Sequence, residues 1–131
     1  MADLVLSATN IRPLDGAHTR QYQTSAAAEL GEAVTHLETG YVEKTAGASA
    51  KFRGVIVSGS GKDSAGVVAS GEDVGVCIFG PVSGFSGLTP GTLVYLSATA
   101  GNLADTGSIV VGYVENATTI FIMPAIADSA S

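Results

Sequence analysis

Glycine interrupts the apolar runs of this chain at short, uneven intervals, and that habit restricts its possible folds more than any other feature. The 17 glycines are spread along 131 residues rather than gathered into one linker, and they punctuate short runs rich in Val, Ile, Leu and Thr. β-branched side chains suit a pleated, half-buried surface, while glycine supplies the backbone freedom of tight turns. The pattern predicts an all-β chain. Candidate strands fall at residues 4–8, 33–37, 40–44, 52–58, 65–70, 73–79, 92–97, 108–115 and 118–123, a spacing suited to a small barrel or sandwich. Residues 108–123 read as the clearest hairpin, because Asn116 at its turn tolerates a positive φ. Helix evidence is confined to one turn at residues 25–30, which Gly31 stops.

Several runs are apolar at every position, notably Gly54-Val55-Ile56-Val57 and Ile109-Val110-Val111. A strand wet on one face alternates, so these runs predict burial on both faces. In a domain this small the second cover is expected from a neighbouring subunit. Tyr41, Phe52, Phe79, Phe85 and Tyr95 are the expected large core or interface residues. The phrase Gly31-Glu32-Ala33-Val34 returns as Gly71-Glu72-Asp73-Val74 and Gly91-Thr92-Leu93-Val94. Its spacing is unequal, so it reads as shared turn grammar rather than a solenoid period.

The length suits one domain, or one domain plus an arm. Residues 1–28 differ in character: Leu4-Val5-Leu6 precedes a polar stretch containing Arg12, Pro13, Asp15, His18 and Arg20. They read either as an N-terminal arm that adds a strand to a partner's edge, or as an ordinary first strand with a long loop. Residues 29–131 read as the β domain, with fraying expected at 125–131.

Charge narrows the function. Six Lys+Arg against 12 Asp+Glu give a net charge of −6, so no row of phosphates is neutralised and no nucleic-acid partner is expected. Hydrophobic residues at 46% with charged residues at 14% argue against disorder. The apolar runs are too short to span a membrane, and no basic-then-apolar leader is visible, so cytoplasmic synthesis without a membrane partner is expected. Asn116-Ala117-Thr118 matches a glycosylation sequon, a chance match without a leader.

Catalytic chemistry finds no foothold. Ser58, Ser60, Ser83 and Ser86 sit among glycines but in no nucleophile-elbow pattern. Gly59-Ser60-Gly61-Lys62-Asp63-Ser64 imitates a phosphate loop, yet Asp63 stands where a magnesium-binding hydroxyl belongs, and Ile56 where the first glycine belongs. His18 and His36 lie in separate segments, and His36 alternates with apolar residues as a solvent-facing or contact residue would. Cys77 is the single cysteine, which excludes an intramolecular disulfide and any multi-thiolate zinc site, and it reads as a small hydrophobe. Glu72 and Asp73 point opposite ways in extended chain, and Glu29 and Glu32 would face each other only on a helical turn that Gly31 discourages. No calcium loop is present either. No catalytic, cofactor or metal residue is expected, and the chain reads as a non-enzyme whose function is a surface.

The order of phrases from residue 29 to 124 resembles the small decoration (cement) proteins of tailed-phage capsids. The resemblance lies in Gly31-Glu32-Ala33-Val34, Arg53-Gly54-Val55-Ile56, Ser70-Gly71-Glu72-Asp73-Val74 before a strand ending Gly80-Pro81-Val82, and Leu88-Thr89-Pro90-Gly91-Thr92 leading into Val94-Tyr95-Leu96-Ser97-Ala98-Thr99. A terminal Val111-Gly112 hairpin completes it. The resemblance implies a small β-barrel or sandwich, β-tulip-like, with an extended N-terminal arm. It implies a homotrimer on the outer surface of the virion, bound to the major capsid protein and stiffening the shell. In that case Leu4, Val5, Leu6, Ile11, Arg12 and Arg20 are the expected capsid-binding residues, and Phe85, Tyr95, Val111 and Tyr113 the expected trimer interface. Two alternatives belong to other classes: a head- or tail-fibre module for host attachment, disfavoured by the lack of Trp, and a small β-barrel enzyme or ligand carrier.

Overall fold

The computed structural model describes residues 3–47 and 51–123. In chain order these form β1 (Val5–Leu6), a 3₁₀ turn (Ala8–Asn10), β2 (Arg12–Pro13), β3 (His18–Gln23), β4 (Ala28–Glu29), β5 (Ala33–His36) and β6 (Val42–Lys44). There follow β7 (Gly54–Gly59), β8 (Val67–Val68), β9 (Asp73–Ser83), β10 (Phe85–Ser86), β11 (Leu93–Leu96), β12 (Leu103–Ala104), β13 (Val110–Asn116) and β14 (Thr119–Ile122). The chain is all-β, as its glycine-punctuated pattern predicts.

β9 is the spine. Along one edge run β2 and β3, antiparallel, with Arg12 opposite Ser83 and Gln23 opposite Asp73. The other edge is divided: β7 pairs with its first half and β14 with its second, Val55 opposite Cys77 and Ile120 opposite Val82. From there the 10-stranded sheet extends in the order β12-β11-β13-β14-β9-β7-β5-β6. Isolated bridges bring both ends back. Thr24 bridges Val42 of β6 in parallel, which links β6 to the end of β3. Asp3 bridges Ala104 of β12, while β1 pairs with β10, Leu6 opposite Phe85. The sheet therefore curls on both sides of β9 into a barrel-like body. Phe52, Ile56, Leu96, Leu103, Ile120 and Ile122, among the largest fully buried side chains, fill it with a surround of valines.

Within residues 3–23, β2 and β3 are members of this sheet, and β1 forms a separate two-stranded pair with β10. Two glycines admit them. Gly80 (φ +117°) is so close to the N-terminal segment that a Cβ there would lie 2.5 Å from the Ala17 Cα. At Gly84 (φ +116°) a Cβ would lie 2.7 Å from the Ile11 Cα. Both φ values belong to the region that favours glycine. Ile11 itself is buried in the common core. In the described structure, β2 and β3 from the stretch read as arm or first strand complete the hydrogen bonding of β9.

Other expectations need correction. Residues 25–30 form no helix; Ala28 and Glu29 pair with Val68 and Val67. Asn116 does not take a positive φ, since no described non-glycine residue does. Its side chain makes the turn instead, Oδ1 accepting the Thr118 N–H at 3.0 Å. The apolar run at Val55, Ile56 and Val57 is buried on both faces, but within one chain. Farther along β7, Gly59 lies against β8: a Cβ there would lie 2.2 Å from Val68 Cγ2. In the second run only Val111 is buried, because the β11–β13 register slips there, Val94 facing Gly112 and Tyr95 facing Val110. Val110 is 39% exposed. These runs therefore need no neighbouring subunit. The expected fraying at 125–131 lies outside the described residues.

Candidate interaction surface

Strands in one sheet present alternate residues to each face, so registered partners stand side by side. On the outer face this register assembles an apolar stripe. Leu93 of β11 faces Tyr113 of β13, Tyr113 faces Phe121 of β14, and His18 of β3 faces Phe79 of β9. The Tyr113 and Phe121 rings stack at 5.4 Å with 17° between planes. Phe79 meets Phe121 edge-on at 5.2 Å, and His18 tilts against Phe79 at 6.0 Å. Stacked and edge-to-face pairs are both favourable ring geometries. Phe79 remains 42% exposed and Leu93 47%. A contiguous apolar patch on a soluble face marks an interaction site more often than scattered single residues do.

Beside Phe121 the surface dips into a groove lined by Pro13, Leu14, Asp15, Gly16, Pro81 and Glu115. Its lining combines Pro13, Leu14, Pro81 and Phe121 with the carboxylates of Asp15 and Glu115. A second aromatic group lies at the far end of β3. There Arg53 Nε donates to the Tyr22 hydroxyl at 3.0 Å, its guanidinium 5.9 Å from the ring centroid. The Tyr22 ring also packs against His36 at 4.9 Å.

The residues expected at interfaces are not gathered in one place. Val5, Leu6, Ile11 and Arg12 line a shallow depression with Thr9, Asn10, Phe85 and Thr118, and Leu4 joins Val5 and Leu6 at a neighbouring one. Arg20 lies apart on β3, opposite Val76. Of the expected trimer residues, Tyr113 belongs to the stripe and Tyr95 is half-buried opposite Ala104. Val111 and Phe85 are buried in the chain's own core, so their side chains have almost no surface to give a partner. The sequence reading named Phe79 as a large core or interface residue, and missed Leu93, Phe121 and the two carboxylates of the groove. The missed signal was alternation: Tyr113 and Phe121 sit at outward positions on the two arms of one hairpin.

The shifted titratable groups have local causes in burial and hydrogen bonding. Burial pushes the Cys77 thiol up, against a weak contact to the Phe79 carbonyl. Asp63 is held below the ordinary aspartate range by the N–H groups of Val67 and Ala65, which its Oδ1 accepts at 3.0 and 2.9 Å. In the phosphate-loop imitation, the loop's own carboxylate thus takes the amides. Burial raises Glu32, whose Oε1 accepts the Glu29 N–H at 2.9 Å. Among the described residues no three His, Cys, Asp or Glu side chains are grouped to hold a metal ion. No described helix is long and apolar enough to cross a membrane.

Compared with protein-family models, curated proteins and solved structures, the chain matches none of them.

Proposed function

We propose that this chain is a structural virion protein, a head decoration or cement subunit that binds the outside of a tailed-phage capsid as a homotrimer and stabilises it. The observation that carries the reading is the aromatic stripe from Leu93 through Tyr113 and Phe121 to Phe79, left on the outer face of a curled all-β sheet. A module whose function is adhesion needs such a face; an enzyme of this size would need a cleft with convergent polar groups instead. The light charge and net −6 suit the outside of a shell rather than its nucleic-acid side. Docking at several lattice points lets each contact be weak, because every engaged subunit raises the effective concentration of the others.

The test is co-sedimentation of purified protein with expanded, undecorated capsids. Saturation at a fixed ratio to the major capsid protein supports the reading. Binding to host cells with none to capsids would replace it with the fibre-module alternative.

A further inference from the structure

We infer that copies of this chain dock head to tail, the acid-lined groove beside Phe121 of one copy receiving the Tyr22–His36–Arg53 cluster of the next. This deepens the homotrimeric reading above and rests on it, since it names the contact between subunits.

The two surfaces are complementary in charge and in shape of chemistry. The groove is lined by Phe121, Pro13 and Pro81 together with the acidic Asp15 and Glu115. No described side chain bonds to either carboxylate. Arg12, the cation nearest in sequence, lines a separate depression with Thr9, Asn10 and Thr118. The opposing cluster brings a guanidinium that uses its Nε on Tyr22, while its terminal nitrogens bond no described side chain and suit a carboxylate. Arg20, exposed and two residues before Tyr22 on β3, adds a second cation on the same strand face. A guanidinium among aromatic rings and carboxylates gains from both, since the ring faces are negative and the fork of donors fits a carboxylate.

One chain cannot satisfy its own pair. His18 marks the stripe end of β3 and Tyr22 the cluster end, and a rise of about 3.3 Å per residue separates them by roughly 13 Å. Two different patches on one chain make a heterologous contact, which closes into a ring when the rotation allows. Copies at net −6 repel one another overall, so local pairing of the few cations with these acids is what orients the approach.

Charge reversal tests this on the full chain by sedimentation equilibrium. Glu115→Arg and Arg53→Glu should each weaken self-association by about tenfold or more, and the double variant should recover most of it. A wild-type trimer that neither single variant weakens, or a double variant no better than the two losses combined, overturns the contact and leaves the homotrimer standing. If circular dichroism finds either single variant unfolded, Asp15→Lys with Arg20→Glu replaces the pair, and the same outcomes decide. A wild-type monomer at every concentration overturns both the contact and the trimer. Rescue by the double variant in a protein that never binds capsids keeps the contact and removes the virion reading.

Discussion

Asn102 donates a hydrogen bond to the Asp3 carboxylate across 2.8 Å, though the two residues lie 99 apart in the chain. Ser97 donates to the other oxygen of the same carboxylate. Asp3 is thereby fastened to Ser97, just past β11, and to the turn before β12, next to the Asp3–Ala104 bridge. Charge-assisted bonds to a carboxylate favour its ionised form.

That tie predicts an acid response. The Ser97 bond, then the Asn102 bond, hold Asp3 below its ordinary value of 3.8. A carboxyl depressed in the folded state contributes stability above the unfolded value, and the contribution is lost as pH falls through the folded one. Asp3→Asn should therefore melt slightly lower than wild type at pH 7, by a small margin because the group is exposed and screened. The two melting curves should converge below pH 3.8. A constant difference across pH would mean that the charge of Asp3 is irrelevant to the tie.

Glu32 predicts the opposite sign. Burial raises it above 4.5, outweighing the Glu29 N–H bond and the attraction of Lys44. A carboxyl raised in the folded state costs stability when ionised, and the cost is relieved as pH falls through the raised value. Glu32→Gln removes the charge and keeps an acceptor for the Glu29 N–H. It should melt higher than wild type at pH 7, with the advantage gone below pH 4.5. Thermal melts at several pH values read both limits, and a variant that melts lower at pH 7 would mean Lys44 outweighs burial.

How much of this was legible beforehand follows from which signal each segment carries. Every apolar candidate strand, from residues 33–37 to 118–123, overlaps an observed one. β-branched runs between glycines announce themselves because their packing is their function. β3, His-Thr-Arg-Gln-Tyr-Gln, gave no such signal: its side chains are mostly exposed, and what places it is backbone pairing along β9, which composition does not encode. The same holds for β4 and β10, each of two residues and held by a strand distant in sequence. At the surface, Tyr113 was singled out and Phe121 was not, although alternation alone places Phe121 outward between buried Ile120 and Ile122. The groove joins residues from the segment after β2 to Pro81, Glu115 and Phe121, an assembly only the curled sheet creates.

Glycine substitutions separate two costs. A Cβ at Gly112 would lie 1.9 Å from the Phe121 carbonyl oxygen, where Gly112 faces Ile122 at the open end of the β13–β14 pairing. Backbone cannot move aside there without breaking that ladder. Gly112→Ala should cost about 3 kcal/mol or more, read as a drop in the denaturant midpoint. At Gly40 (φ +91°) a Cβ meets nothing within 4 Å, so Gly40→Ala carries only left-handed backbone strain, about 1–2 kcal/mol. Equal losses at the two positions would mean that the β13–β14 pairing yields.

Adjacent valines on β13 give the sharpest contrast. Val111 is fully buried at the register slip, while Val110 beside it is 39% exposed and faces Tyr95. An unpaired carboxylate at Val111 has no partner and no water. Val111→Asp should cost about 3 kcal/mol or more, a large share of the roughly 5–15 kcal/mol that holds a domain together. Val110→Asp should stay within about 1 kcal/mol of wild type, since its carboxylate reaches solvent. Were Val111 a contact between subunits, its variant would give a folded monomer with the wild-type near-ultraviolet spectrum. A residue of the protomer's own core instead predicts loss of that spectrum at every protein concentration. Circular dichroism across a dilution series distinguishes the two outcomes.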